Sequence, residues 1–171
     1  MMPATAPHLD DTELRRVFGC FPSGVIAVCA TVGGDPVGMA ASSFTSVSMA
    51  PPLVSICVQN SSTTWPRLSD RPRLGVSVLA EQHGQTCLHL SRKAGDRFAG
   101  VHWTELPGGA VVVQGATAWL DCALQGEIPA GDHTIALLRI CSMAADVDTP
   151  PLVFHGSRFR RLDACGAGSC E

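Results

Sequence analysis

"AWLDCALQGEI", residues 118–128, carries apolar side chains at Ala118, Leu120, Cys122, Leu124 and Ile128, with Asp121, Gln125 and Glu127 among the positions between them. Successive side chains of a β-strand point to opposite faces, so a period of two marks a strand with one face in a core. The "IPAGDH" that follows reads as a turn, "TIALLRICSMAA" as the antiparallel partner, and "LVFH" as a last strand before the basic "RFRRL". Toward the N-terminus, "RLGVSVL" and "LVSICV" read as further strands, and "GVIAVCAT" and "VGMAAS" as a hairpin joined by "VGGDP". Pro51-Pro52 forces a bend before "LVSICV", because proline cannot donate to a central ladder. Short helices are expected from Asp10 to Phe18, in "NSSTTWPRL" with Pro66 in the first turn, and in "EQHGQTCLHLS". Six or more strands with few helices predict a mainly β protein, a barrel rather than an alternating βαβ fold.

A chain of 171 residues with a 46% hydrophobic fraction is enough for one domain with a real core. The net charge of −3 and the scattered Lys and Arg argue against nucleic acid. The start, "MMPATAPHLDDTEL", has no basic segment followed by an apolar run, and no window approaches the ~20 apolar residues that span a bilayer. A soluble, cytoplasmic protein without a membrane partner is expected. Its eight cysteines form no C-x-x-C pair and are read as reduced thiols. Cys29, Cys57, Cys122 and Cys141 lie in apolar runs and read as core residues, whereas Cys165 and Cys170, in the polar tail, could form a labile disulfide or catch a metal.

Phosphate-loop, dinucleotide-turn, zinc-helix and nucleophile-elbow motifs are all absent. The six histidines are not paired as metal ligands would be, and no metal is expected. What remains is "GMAASSFTSVSMAPPLVSICVQNSSTTWP", from Gly38, with seven Ser, three Thr and no ionisable acid or base. Ser61 to Thr64 could grip a phosphate where a helix begins, or simply cap that helix. Ser42 and Ser43 could bond the edge of a planar heterocycle, or be strand-edge polar residues. His133, after a Gly-Asp turn, is open to a structural or a catalytic role.

The ordered segments "RRVFGCFPSGVIAVCA", "GMAASSFTSVSMAPPLVSICVQNSSTTW", "DRFAG", "GDHTIALLRI" and "PLVFHGSRFRRL" closely resemble the short-chain flavin reductases, the reductase components of two-component flavin monooxygenases. The resemblance covers residues 14–162, leaving an N-terminal segment 1–13 and a tail 163–171. It implies an FMN-binding split β-barrel of Greek-key type, normally a homodimer with flavin near the subunit interface. It implies that Met39, Ala40, Ala41, Ser42, Ser43, Phe44 and Thr45 run along the flavin ring and ribityl chain. Gln59, Asn60, Ser61, Ser62, Thr63 and Thr64 would receive the ribityl phosphate. Arg97 and Phe98 would close the flavin site, His133 would be the catalytic-site residue near the nicotinamide, and His155 and Arg158 would help hold NADH or NADPH. Phe154 and Phe159 stand where the family often has Tyr.

The implied activity is an NAD(P)H:flavin oxidoreductase. A hydride passes from the nicotinamide to FMN or FAD, and reduced flavin supplies a partner monooxygenase. Both reacting centres then belong to cofactors, and the protein need only align them, which accounts for a site without an acid–base pair. The alternatives are a flavoprotein that retains its flavin for another acceptor, a barrel that tailors an organic substrate, and a non-catalytic flavin- or haem-binding barrel.

Overall fold

The computed structural model describes residues 9–162. In chain order the elements are α1 (Asp11–Phe18), β1 (Ser23–Gly24), β2 (Ile26–Val32), β3 (Asp35–Ala41), β4 (Thr45–Met49), β5 (Pro52–Gln59), α2 (Trp65–Ser69) and β6 (Leu74–Val78). A 3-10 turn at Glu81–His83 leads into α3 (Gly84–Leu90), followed by β7 (Trp103–Glu105), β8 (Val111–Val113), β9 (Ala118–Ala130), β10 (His133–Ala145), β11 (Val153–His155) and β12 (Arg158–Arg160). Seven strands form one sheet in the order β3-β2-β6-β9-β10-β5-β4, with antiparallel neighbours. Its two edge strands, β3 and β4, are consecutive in the chain and joined only by residues 42–44.

One face of this curled sheet makes the main core. Ile26 and Val28 of β2, Ile56 and Val58 of β5, Val76 of β6, Cys122 of β9 and Leu138 of β10 meet in one cluster, capped by Trp65 and Leu68 of α2. On the other side of β2, Ala27 and Cys29 pack with Leu90 of α3 and Val111 and Val113 of β8. β2 is therefore buried on both faces, and its Cys29 thiol, fully desolvated, is pushed up to about 12. Gly75 of β6 permits the closeness of this second layer: a Cβ there would collide with the Val111 main chain.

The founding strand departs from simple alternation in two ways. Asp121 is buried although it stands between Leu120 and Cys122, because the β7–β8 hairpin covers the face that alternation assigns to water. Arg73 Nη2 forms an ion pair with its Oδ2 at 3.1 Å, which compensates the buried carboxylate in part, since Oδ1 has no hydrogen-bond partner among the described residues. Farther on, Leu137 pairs with Gly126 but Leu138 with Leu124, so Gln125 is an inserted bulge residue. The bulge reverses the phase. Glu127 turns inward and accepts the Trp65 Nε1–H at 2.7 Å, while Ile128, expected on the core face, is 49% exposed. The strand also continues through Pro129 and Ala130, leaving Gly131 and Asp132 as the turn.

Two cysteines read as core are not in it. Cys57 points away from the face that buries Ile56 and Val58, and Cys141 is exposed on β10. Cys29 and Cys122 are buried as expected. Cys165 and Cys170 lie outside the described residues. Among the described residues, no helix is long and apolar enough to cross a membrane.

Candidate active site

The hydroxyl-rich stretch and the start of β10 meet at one cavity of about 650 Å³. Its wall runs along Met39, Ala40 and Ala41 of β3 and continues through Ser42 and Ser43. Gln59 at the end of β5 and the turn Ser61–Thr64 form a second side, and Arg97 and His133 complete it. As an edge strand, β3 has β2 on one side only, which leaves main-chain donors and acceptors on the other for a planar ligand. Gly38 holds it close to the layer beneath, since a Cβ would run into the Cys29 sulfur and the Phe98 ring.

Several of the hydroxyls already have partners that shape the cavity. Ser43 Oγ accepts the Cys57 N–H at 2.9 Å and donates to the Cys57 carbonyl at 2.9 Å, bridging the chain between β3 and β4 to β5. Ser62 Oγ accepts the Trp65 N–H at 3.1 Å and so starts α2. Thr64, although at the N-cap position, makes no side-chain cap bond. Its Oγ1 instead accepts Arg97 Nη1 at 2.8 Å, and the same nitrogen donates to the Gly38 carbonyl at 3.1 Å. Arg97 thus ties the turn to β3. With α2 only five residues long, hydroxyls and cations, rather than a helix end, supply the attraction for an anion.

Asn60 has a different place from the one expected of it. Its Nδ2 donates to the Gly131 carbonyl at 3.2 Å, its Oδ1 accepts the Thr134 hydroxyl at 2.8 Å, and its N–H donates to the Asp132 carbonyl at 3.0 Å. These three bonds clamp the β9–β10 turn against the end of β5, where His133 is the register partner of Gln59. Asn60 does not line the cavity; it holds the residue that does. His133 Nδ1–H donates to Asp132 Oδ1 at 2.8 Å, a bond that holds the exposed Asp132 carboxyl below its usual range and leaves Nε2 as the ring nitrogen not engaged by Asp132.

Of the remaining predicted residues, Phe44 packs against the main core and Thr45 pairs with Ser55 in the β4–β5 hairpin. Phe98 lies against the second core, edge-on to Trp103 with centroids 6.4 Å apart, and lines a neighbouring cleft rather than the cavity. His155 and Arg158 pair across the β11–β12 hairpin in a separate three-stranded sheet with β1, away from the cavity wall. Sequence reasoning missed Cys57, Val58, Leu90, Ser91 and Lys93. The basic pair Arg92-Lys93, just ahead of "DRFAG", was the available signal for the last.

The donor set suits a flavin. An open strand edge faces the space a heterocycle needs, and hydroxyls with Lys93 and Arg97 offer a seat for phosphate. Neither cation has a carboxylate within salt-bridge distance among the described residues. No three His, Cys, Asp or Glu side chains gather as a metal site among those residues.

A curled antiparallel sheet with an edge-strand cavity of hydroxyls and cations defines a small β-barrel whose cavity is chemically suited to an anionic cofactor. Comparison with known proteins narrows that class. Residues 18–163 match the family described as "Flavin reductase like domain". An NADH-dependent FAD reductase of Streptomyces globisporus is 43% identical, with 95% of this chain and 94% of that protein covered. The reductase subunit HsaB of a flavin-dependent monooxygenase from Rhodococcus jostii is 34% identical over 92% of this chain and 81% of its own. The solved NADH:FAD oxidoreductase SgcE6 of Streptomyces globisporus, in complex with NAD and FAD fragments, superposes with a TM-score of 0.87 at 39% identity, covering 93% of this chain and 96% of that one. The chain belongs to the flavin reductase family: it is a flavin-reducing oxidoreductase on a split barrel.

Proposed function

We propose that the protein oxidises NADH at this cavity with free FAD or FMN as acceptor, and that the reduced flavin serves a separate monooxygenase. The observation that carries the reading is the convergence of Met39–Ser43, Ser61–Thr64, Arg97 and His133 on one cavity. A bound flavin would supply a ring that accepts the nicotinamide hydride, so the redox chemistry belongs to the cofactors. The chain's own work is placement. The β3 edge takes the planar ring, and Ser61, Ser62 and Thr63 with Lys93 and Arg97 take the phosphate. His133, through its Nε2, orients the nicotinamide over the ring. Held by Asp132 and by the Asn60 clamp, His133 spends little orientational entropy on that contact.

A homodimer fits the surface. α1 buries none of its residues within this chain, and Phe18, Phe21, Met49 and Met143 are 69%, 78%, 93% and 69% exposed. His155 and Arg158, remote from the cavity of their own chain, would reach nicotinamide only across such an interface. A cytoplasmic location accords with the free thiols of the described residues.

The test is an anaerobic assay following NADH and NADPH absorbance with FAD, FMN and riboflavin in turn. Stoichiometric bleaching of added flavin by NADH, with the flavin lost on dialysis, is the expected result. A protein that binds flavin but oxidises neither nucleotide refutes the reading, and one that keeps its flavin through dialysis refutes its use as a diffusible product.

A further inference from the structure

Trp65 joins the turn Ser61–Thr64 to the main core. It opens α2 directly after that turn, is 7% exposed, and packs with Leu68 against the inner face of the sheet. Both of its nitrogens are engaged. The main-chain N–H donates to Ser62 Oγ at 3.1 Å, inside the turn, and the indole Nε1–H donates to Glu127 Oε1 at 2.7 Å, on β9. The residue is thus pinned at both ends, once to the turn and once to a strand 62 positions further along the chain. The turn depends on such ties. Thr64 makes no side-chain cap bond, and the five residues of α2 are too few for a helix to persist without tertiary anchors. Outside α2, the other hydrogen bonds of Ser61–Thr64 among the described residues are Ser62 N–H to the Gln59 carbonyl at 2.9 Å and Arg97 Nη1 to Thr64 Oγ1 at 2.8 Å.

Glu127 reaches Trp65 because the inserted Gln125 turns it onto the face of its register partner Ala136, and so of Ile56 beyond. Neither Glu127 nor Trp65 lines the cavity; both stand behind the turn that does. A buried indole N–H needs an acceptor, and a carboxylate, which only accepts, fixes where that edge of the ring points. We infer that Glu127 is a positioning residue for the phosphate seat: by holding the Trp65 indole it sets the first residue of α2, and through it the Ser61–Thr64 groups that meet the phosphate. The inference rests on the flavin reading of the cavity and of that turn. Glu127 touches no ligand, so its effect is confined to the phosphate-bearing end. The wall offered to the flavin ring is held by other bonds, those of Ser43 to Cys57 among them.

The test compares a flavin that carries the phosphate with one that lacks it. Dissociation constants for FMN and riboflavin are measured by flavin fluorescence quenching on the unaltered protein, Glu127→Ala, Glu127→Gln and Trp65→Phe, with a melting curve on each. Glu127→Ala should weaken FMN about threefold to tenfold, the worth of one hydrogen bond, and riboflavin less than twofold. Glu127→Gln, whose amide oxygen can still accept, should keep FMN within about twofold of the unaltered protein. Trp65→Phe, which removes the donor and keeps a ring in the core, should match Glu127→Ala, and the double variant should add nothing to either. If Glu127→Ala does not fold, Trp65→Phe carries the same expectation. An FMN affinity unchanged or improved in the Ala variant overturns the inference. So does an equal loss for both flavins, which a loosened core would produce, and so does a Gln variant as weak as the Ala variant. All three leave the flavin cavity standing. An unaltered protein that binds FMN no better than riboflavin, or binds neither, refutes the phosphate seat itself and this inference with it.

Discussion

Replacing Asn60 by Ala separates the role the structure gives this residue from the one its motif suggests. The change deletes two side-chain hydrogen bonds, to the Gly131 carbonyl at 3.2 Å and from the Thr134 hydroxyl at 2.8 Å, and spares the main-chain bond to Asp132. Each such bond contributes a net ~0.5–1.5 kcal/mol, and both are exposed, so a loss of about 1–2 kcal/mol is expected. For a domain of this size that lowers the melting temperature by about 3–6 °C. The functional effect should be larger, because the loosened turn carries His133. A displacement of 1 Å at a reacting centre can cost ~100-fold, and the surviving main-chain bond limits this to a roughly tenfold fall in kcat. NADH oxidation at saturating flavin, paired with a flavin titration, reads both quantities. Flavin affinity should change less than threefold, and Thr134→Val should reproduce a weaker form of the same pattern. A loss of flavin affinity as great as the loss of turnover would make Asn60 a ligand contact and refute the clamp.

Three further outcomes follow from the geometry. His133→Ala should slow NADH oxidation far more than it weakens flavin binding, and an equal loss of both would count against a nicotinamide role. His83 accepts the Ala80 N–H at 3.1 Å through Nδ1 and faces the Gln114 carbonyl through Nε2, at 3.1 Å. Burial lowers its pKa from 6.5, so the folded state binds fewer protons than the unfolded one, and stability present above about pH 6.5 is lost as the pH falls below it. A melting profile from pH 8 to pH 5 should show that decline, and His83→Gln should flatten it; an unchanged slope would acquit His83. Gly75→Ala should cost about 3 kcal/mol or more in denaturant unfolding, since the added methyl meets the Val111 main chain and cannot move aside. A near-neutral midpoint would mean that β8 does not rest on β6 as described.

Six of the seven strands of the main sheet were legible because burial on one face imprints a period of two: β2, β3, β5, β6, β9 and β10 fall where that period or a short apolar run placed them, whereas the edge strand β4, Thr45–Met49, buries no residue and carries no such mark. The β2–β3 and β9–β10 hairpins were legible from their turns, but register was not. The inserted Gln125 leaves no mark on composition, yet it decides that Glu127 meets Trp65 and Ile128 meets water. Asp121 looked like a solvent residue because nothing in the sequence announced that β7 and β8 fold over it. The cavity divides in the same way. Hydroxyls along Ser42–Ser43 and Ser61–Thr64 signalled a polar ligand surface, but Lys93 reaches it only through the loop after α3. The task of Asn60 depends on a turn some seventy positions away in the chain, a distance over which local spacing carries no information.

The paired bonds from Ser43 to the Cys57 main chain stand where a strand ladder would otherwise continue. One hydroxyl is a weak fastener, and water can take its place at a net cost of only ~0.5–1.5 kcal/mol per bond. The barrel is therefore stapled rather than sewn along this edge, so local parting there asks far less than melting the sheet. Deuterium should enter at Cys57 long before it reaches Ile26 or Val28, and a bulky ring can be admitted by the wall itself without a dedicated door.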